Sequence, residues 1–193
     1  MSSVVDGPIS TCTRDDCEDC PVEGRVTCHF TWRDRAVFSA SAAPAFVLAF
    51  AGLYLVGPLL VAVMAALTVA YFGLVEVWSM CSHCPHYAEP GTRTLRCWAN
   101  HGCPKLREHR PGPMSGPEKS VFMGGMATVM GFPALVFLAQ GMTPLLAAYC
   151  AALVLLFTVL RLRFCGRCMN LACPLNRVDA GTAGTFRELN PGA

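Results

Sequence analysis

The chain has 193 residues, of which 53% are apolar and only 15% charged, with a net charge of +2; soluble domains usually carry roughly a quarter charged residues. That balance is not that of an ordinary soluble domain; the small net charge argues neither for nor against nucleic acid, and no nucleic-acid partner is expected. The placement of the charges says more than their number: residues 36–79 hold one, Glu76, residues 120–160 hold none, and all fifteen Lys and Arg lie elsewhere.

Residues 1–35 form a polar, cysteine-rich amino-terminal segment containing CTRDDCEDCPVEGRVTC, in which Cys12, Cys17, Cys20 and Cys28 are separated by four, two and seven residues. Asp15, Asp16, Glu18 and Asp19 surround Cys17. They read as a solvated face, with a docking patch for a basic partner as the functional alternative. The first apolar stretch begins only near residue 36, so a cleaved signal peptide is not expected.

Residues 36–79 are about twice the roughly 20 residues that cross a bilayer and are broken at Gly57-Pro58. They read as a transmembrane hairpin with helices at 36–56 and 58–79. Glu76 falls about one turn from the end of the second helix. An ionisable group inside a span is a functional candidate, as a proton relay, a quinone contact or a metal ligand. A carboxylate reaching out to the interface is the plain alternative.

The loop 80–119 opens with CSHCPHYAEPGTRTLRCWANHGCP, placing Cys81, Cys84, Cys97 and Cys103 two, twelve and five residues apart. A second apolar block, 120–162, is broken by Gln140-Gly141-Met142-Thr143-Pro144 and reads as a second hairpin, with helices at 120–139 and 144–162. The tail 163–193 carries CGRCMNLACP, with Cys165, Cys168 and Cys173. This third group lacks a fourth cysteine, so another segment, Asp179 or solvent would have to complete a shell of four.

The expected fold is an all-α integral membrane protein: a four-helix transmembrane bundle with small irregular cysteine segments on one face. The hairpins look duplicated. GPLLVAVMAAL (57–67) aligns without gaps to TPLLAAYCAAL (143–153), Pro44 and Pro133 occupy similar places in the first helices, and a Cys-x-x-Cys follows each hairpin. Two copies of two spans each enter from the same side, so a two-fold axis along the membrane normal would relate them. Pro44 and Pro133 should kink their helices, and Gly124, Gly125 and Gly131 should permit close helix contact.

The hairpin tips carry no Lys or Arg, whereas Arg33, Arg35, Arg161 and Arg163 flank helix ends. The positive-inside rule therefore places both termini and the middle loop in the cytoplasm, with the protein in the inner membrane. Eleven of the twelve cysteines then face a reducing compartment, which favours metal over disulfides. A Cys-x-x-Cys turn lets two thiolates converge on one metal or cluster, and a more distant pair completes the shell. Cys20, Cys84, Cys103 and Cys173 each precede proline, as the last cysteine of bacterial ferredoxin runs does, and the spacing of Cys12, Cys17 and Cys20 matches the opening of plant-type ferredoxins. The resemblance is of spacing alone. Iron–sulfur clusters are the favoured cofactor and zinc the alternative.

His29, His83, His86 and His101 lie among the cysteines, where each could replace a thiolate or donate a hydrogen bond to one. None of the five histidines lies in a span and no Cys-x-x-Cys-His is present, which excludes haem held by intramembrane histidines and covalently attached haem. Phosphate-binding glycine loops, Ser/His/Asp sets and paired carboxylates are also missing from the sequence. Cys150 aligns with Met64, and Met123, Met126 and Met130 share one helix face, a pattern that would serve a soft-metal path but is more commonly packing. The sequence thus reads as an electron-transfer or structural subunit rather than a free-standing enzyme. It would relay electrons between a cytoplasmic partner and a membrane quinone or membrane enzyme. A zinc-stabilised scaffold or assembly factor and a soft-metal carrier are the alternatives.

Overall fold

The computed structural model describes residues 7–192; residues 1–6 of the amino-terminal segment and Ala193 lie outside the described residues. Four helices are long and apolar enough to cross a membrane: α1 (Trp32–Val56), α2 (Pro58–His83), α3 (Gly116–Ala139) and α4 (Thr143–Arg167). A shorter helix, α5 (Ala180–Leu189), follows in the tail. No strand occurs among the described residues, only two isolated bridges. The helices carry apolar residues on their outer surfaces too, including Val47, Leu55, Leu59, Val69, Leu135 and Leu162. Helices apolar all round belong in lipid.

The first helix of each hairpin starts earlier than composition predicts, at Trp32 rather than 36 and at Gly116 rather than 120. The reason is a capping box at each start. Thr31 and Asp34 exchange side-chain and backbone hydrogen bonds, and so do Ser115 and Glu118. These reciprocal bonds satisfy orphan N–H groups at the helix end, so charged residues are drawn into the first turn.

The second helices run further than expected, past 79 and 162. Each begins with proline in its first turn. Each then widens into a π-helical stretch, Val69–Val75 in α2 and Leu160–Phe164 in α4. A widened turn adds a residue and rotates the remainder of the helix by about 100°. Each helix then closes in a 3₁₀ turn holding the first cysteine of a pair, Cys81–His83 and Cys165–Arg167. The second cysteines, Cys84 and Cys168, adopt nearly the same extended backbone (φ −79°, ψ 132° and φ −76°, ψ 126°).

In the bundle, α1 packs against α4 and α3 against α2, while α1 and α3 also touch. The core comprises Ala45, Ala49 and Leu53 of α1, Met64 and Tyr71 of α2, Phe122, Val129 and Phe137 of α3, and Tyr149 of α4. Two buried tyrosines donate to backbone carbonyls of α3, Tyr71 to Phe122 (3.1 Å) and Tyr149 to Met130 (2.8 Å). Of the glycines expected to permit close contact, only Gly125 does so: a Cβ there would come within 2.6 Å of the Tyr71 ring, whereas Gly124 and Gly131 face open space. Gly52 of α1 plays the same role against Phe137 and Leu145, and apolar composition alone gave no sign of it.

Outside the bundle the terminal segments fold together. Ile9, Val22 and Val26 pack with Met169 and Phe186. Backbone bonds from Thr13 to Leu189 and from Thr27 to Arg167, both 2.8 Å, join them. The middle loop folds separately onto the end of α2, with Val77, Cys81, Tyr87 and Leu95 forming a small apolar centre. The two layers meet where α2 and α4 end.

Candidate metal centre

Where those layers meet the bundle lies a cavity of about 390 Å³. A single water needs only about 10–15 Å³, and cofactor pockets run from roughly 300 Å³ upward. Seven cysteines line it: Cys81, Cys84, Cys97 and Cys103 from the end of α2 and the middle loop, and Cys165, Cys168 and Cys173 from the end of α4 and the tail. The second and third sequence groups therefore share one space. The first group stands apart. Cys12, Cys17, Cys20 and Cys28 line a separate small cavity of about 20 Å³, room for roughly one water-sized guest.

The local geometry comes from the helix ends. The 3₁₀ turns bring Cys81 and Cys165 to the cavity wall. Asn100, buried in the middle loop, then ties two of the sulfurs together. Its backbone N–H donates to Cys97 Sγ at 3.0 Å and its side-chain amide to Cys81 Sγ at 3.3 Å. Asn176 fixes the tail by donating to the carbonyls of Cys168 (2.7 Å) and Asn170 (3.0 Å). Asn170 in turn donates to the carbonyl of Met80 (3.2 Å), joining tail to α2. All twelve cysteines are free. Among the described residues no three His, Cys, Asp or Glu side chains converge on one point closely enough to hold a single ion. The seven sulfurs are arranged around a space rather than at a point.

Burial dominates the electrostatics of these cysteines. Burial pushes the Cys97 and Cys173 thiols up to about 11 and Cys168 to about 12. Burial followed by the neighbouring Cys168 thiol raises Cys84 well above its ordinary value. Burial and the nearby Cys20, Cys12 and Cys17 thiols bring Cys28 to about 11. Crowded, buried sulfurs hold their protons until a cation supplies the opposing charge, and coordination then removes the protons outright.

Glu76 lines the cavity, is only 8% exposed, and its Oε2 has no hydrogen-bond partner. It faces inward and does not reach out to the interface. The histidines divide. His86 and His101 line the cavity. Burial lowers His86 to about 4, and its Nε2 accepts the Arg96 N–H at 2.8 Å. His29 bonds the Gly7 carbonyl, and His83 bonds the Gly112 carbonyl while lying 3.5 Å from Glu118. His29 is thus held structurally, whereas the buried Nε2 of His83 has no hydrogen-bond partner. Asp179 caps α5 by accepting from Thr182 at 2.9 Å and is absent from the cavity lining, so it does not complete the third cysteine group. Met126 and Met130 line the cavity, whereas Met64 is buried in the bundle core, Cys150 is exposed on α4, and Met123 is exposed on α3.

Sequence reasoning missed Asn100, Trp98 and Phe164. Trp98 and Phe164 sit beside Cys97 and Cys165 and line or border the same space. An aromatic next to a cysteine of the paired motifs was the available signal; Asn100 offered none. No protein-family model, curated protein or solved structure matches the chain.

Proposed function

We propose that this chain is a membrane metalloprotein whose seven-cysteine cavity holds iron–sulfur chemistry. It relays electrons between a cytoplasmic partner and a membrane quinone or membrane enzyme, as a subunit or anchor of a larger assembly. One observation carries the reading: seven sulfurs from separate parts of the chain ring a space of about 390 Å³. Zinc held by thiolates at about 2.3 Å needs convergent ligands and no such volume. A polynuclear cluster needs both the volume and four cysteines. Cys81, Cys84, Cys97 and Cys103 make one such set, and Cys165, Cys168 and Cys173 make three quarters of another. When bound, the clusters supply one-electron transfer; the protein supplies thiolates, exclusion of water and hydrogen bonds to sulfur from Asn100.

The zinc reading keeps one foothold. The amino-terminal cysteines surround space for a single small guest, so a mononuclear clamp joining the terminal segments suits them better than a cluster. The soft-metal carrier has less support, because Met64 and Cys150 lie off the cavity.

The hairpins read as a duplication. Each has a capping box, a proline-led second helix, a π-helical stretch and a 3₁₀ turn bearing the first cysteine of a pair. Arg33, Arg35, Arg161 and Arg163 beside the helix ends support an orientation with the cysteines and both termini in the cytoplasm.

Anaerobic purification tests the reading. The protein should be brown and bleach on reduction. Colourless protein carrying zinc in the seven-cysteine cavity would overturn it. On intact cells, a membrane-impermeant thiol reagent should leave the eleven cysteines outside the spans unlabelled; labelling of these would invert the orientation.

A further inference from the structure

The cavity continues past the sulfurs. Its inner part is walled by Phe46 of α1, Phe72 of α2, Met126 and Met130 of α3 and Phe157 of α4. None of these holds iron, and all lie within membrane-spanning helices. At the junction between the apolar part and the sulfurs sits Glu76, more than nine-tenths buried, with Oε2 unpartnered, and with Asn100 beside it. A buried carboxylate oxygen without a partner is costly, and leucine would fill the same volume without the cost. The residue makes sense if something with a polar edge and an apolar body enters.

Building on the electron-relay reading, we propose that the inner cavity binds the ring of a membrane quinone. Glu76 and Asn100 meet its oxygen substituents. The phenylalanine and methionine walls hold the ring and the start of its tail. Asn100 spends one amide hydrogen on Cys81 and turns its amide to Glu76, so a ring carbonyl entering here would take over the hydrogen now shared with that carboxyl. Glu76 accepts from a ring hydroxyl once the ring is reduced. The acceptor set rejects a plain hydrocarbon chain, and the aromatic walls reject a hydrated ion or a sugar. Reduction of the ring consumes two electrons and two protons and forms two O–H bonds. The electrons would arrive one at a time, in two steps, from a metal centre held by the cavity cysteines, and the protons would come from water on the cysteine face.

The test uses the full chain, purified anaerobically in detergent, with decylubiquinone as probe and quenching of tryptophan emission as readout, since Trp98 lines the cavity. Saturable quenching is expected, with decanol competing poorly. Glu76→Gln should weaken binding at least tenfold while iron, sulfide and the visible spectrum stay unchanged. Met130→Phe, which narrows the apolar end without touching the carboxylate, should weaken it as well. Brown protein that shows no saturable binding, equal competition by decanol, or wild-type binding by both variants would remove the quinone site and leave the relay standing. Colourless protein that still binds decylubiquinone would keep the site and remove the relay.

Discussion

Trp98 and Phe164 stack with ring centroids 4.5 Å apart and planes 25° from parallel, and Phe38 of α1 meets Trp98 edge-on at 5.0 Å. Trp98 follows Cys97 and Phe164 precedes Cys165. One aromatic contact therefore clamps the middle loop to the end of α4, with a cavity sulfur on each side. Trp98 also lines the cavity.

Replacing Trp98 with alanine removes two aromatic pairs, each worth about 0.5–1.5 kcal/mol beyond area burial. The expected outcome is intact helix content by circular dichroism, with visible absorbance lost in air several times faster than in the wild type. Trp98→Phe should restore most of the lifetime. Unchanged lifetime in Trp98→Ala would mean the aromatic clamp does not guard the site.

Asn100 gives two hydrogen bonds to sulfur, to Cys97 and Cys81. Donors to cluster sulfurs stabilise the reduced, more negative state. Asn100→Ala keeps the backbone donor and loses the side-chain one, so on the iron–sulfur reading the midpoint potential should fall in a spectroscopically monitored redox titration. A rise would show that the side-chain amide bonds something other than the reduced centre.

Much of the fold was legible in the chain. Four spans, their breaks at Gly57-Pro58 and Thr143-Pro144, and the cysteine groups all stem from strong local signals: apolar length, proline and spacing. The helix ends were less legible, because the capping boxes at Thr31 and Ser115 recruit charged residues that a composition window rejects. Glu76 was visible as a charge in a span, but its inward direction depends on the π-helical turn before it, and no residue type marks such a turn. The sharing of one cavity by the second and third cysteine groups is a tertiary fact. It arises because α2 and α4, which do not pack against each other, both end at the same cavity, which spacing along the chain does not encode.

Glu118 illustrates the same limit. It is buried, completes the capping box with Ser115, and pairs with Arg110 and, at 3.9 Å, with Arg107. It thereby pins the middle loop to α3. Hydrogen bonds to charged groups are worth about 1.5–3 kcal/mol, so Glu118→Ala should destabilise the protein by about 2 kcal/mol in thermal unfolding. Glu108→Ala, a nearby substitution for which no pairing partner is seen, should change stability little.

The helix contacts can be tested through the glycines. Gly125→Leu drives a side chain into the Tyr71 ring, and overpacking of this kind costs about 1–3 kcal/mol. Gly124→Leu, one position along and facing open space, should be near neutral. The pair separates specific packing from a general effect of bulk in α3. Equal stability of the two variants in detergent unfolding would contradict the α2–α3 contact.

The most direct measurement is acid-labile sulfide against iron in anaerobically purified protein, for the wild type and for a Cys84→Ser/Cys168→Ser variant. Inorganic sulfide occurs in clusters and in neither zinc nor single-iron thiolate sites. Sulfide in near-equal ratio to iron is expected, with both falling sharply in the variant. Metal bound without sulfide, or sulfide unchanged when both cavity cysteines are gone, would contradict the iron–sulfur reading.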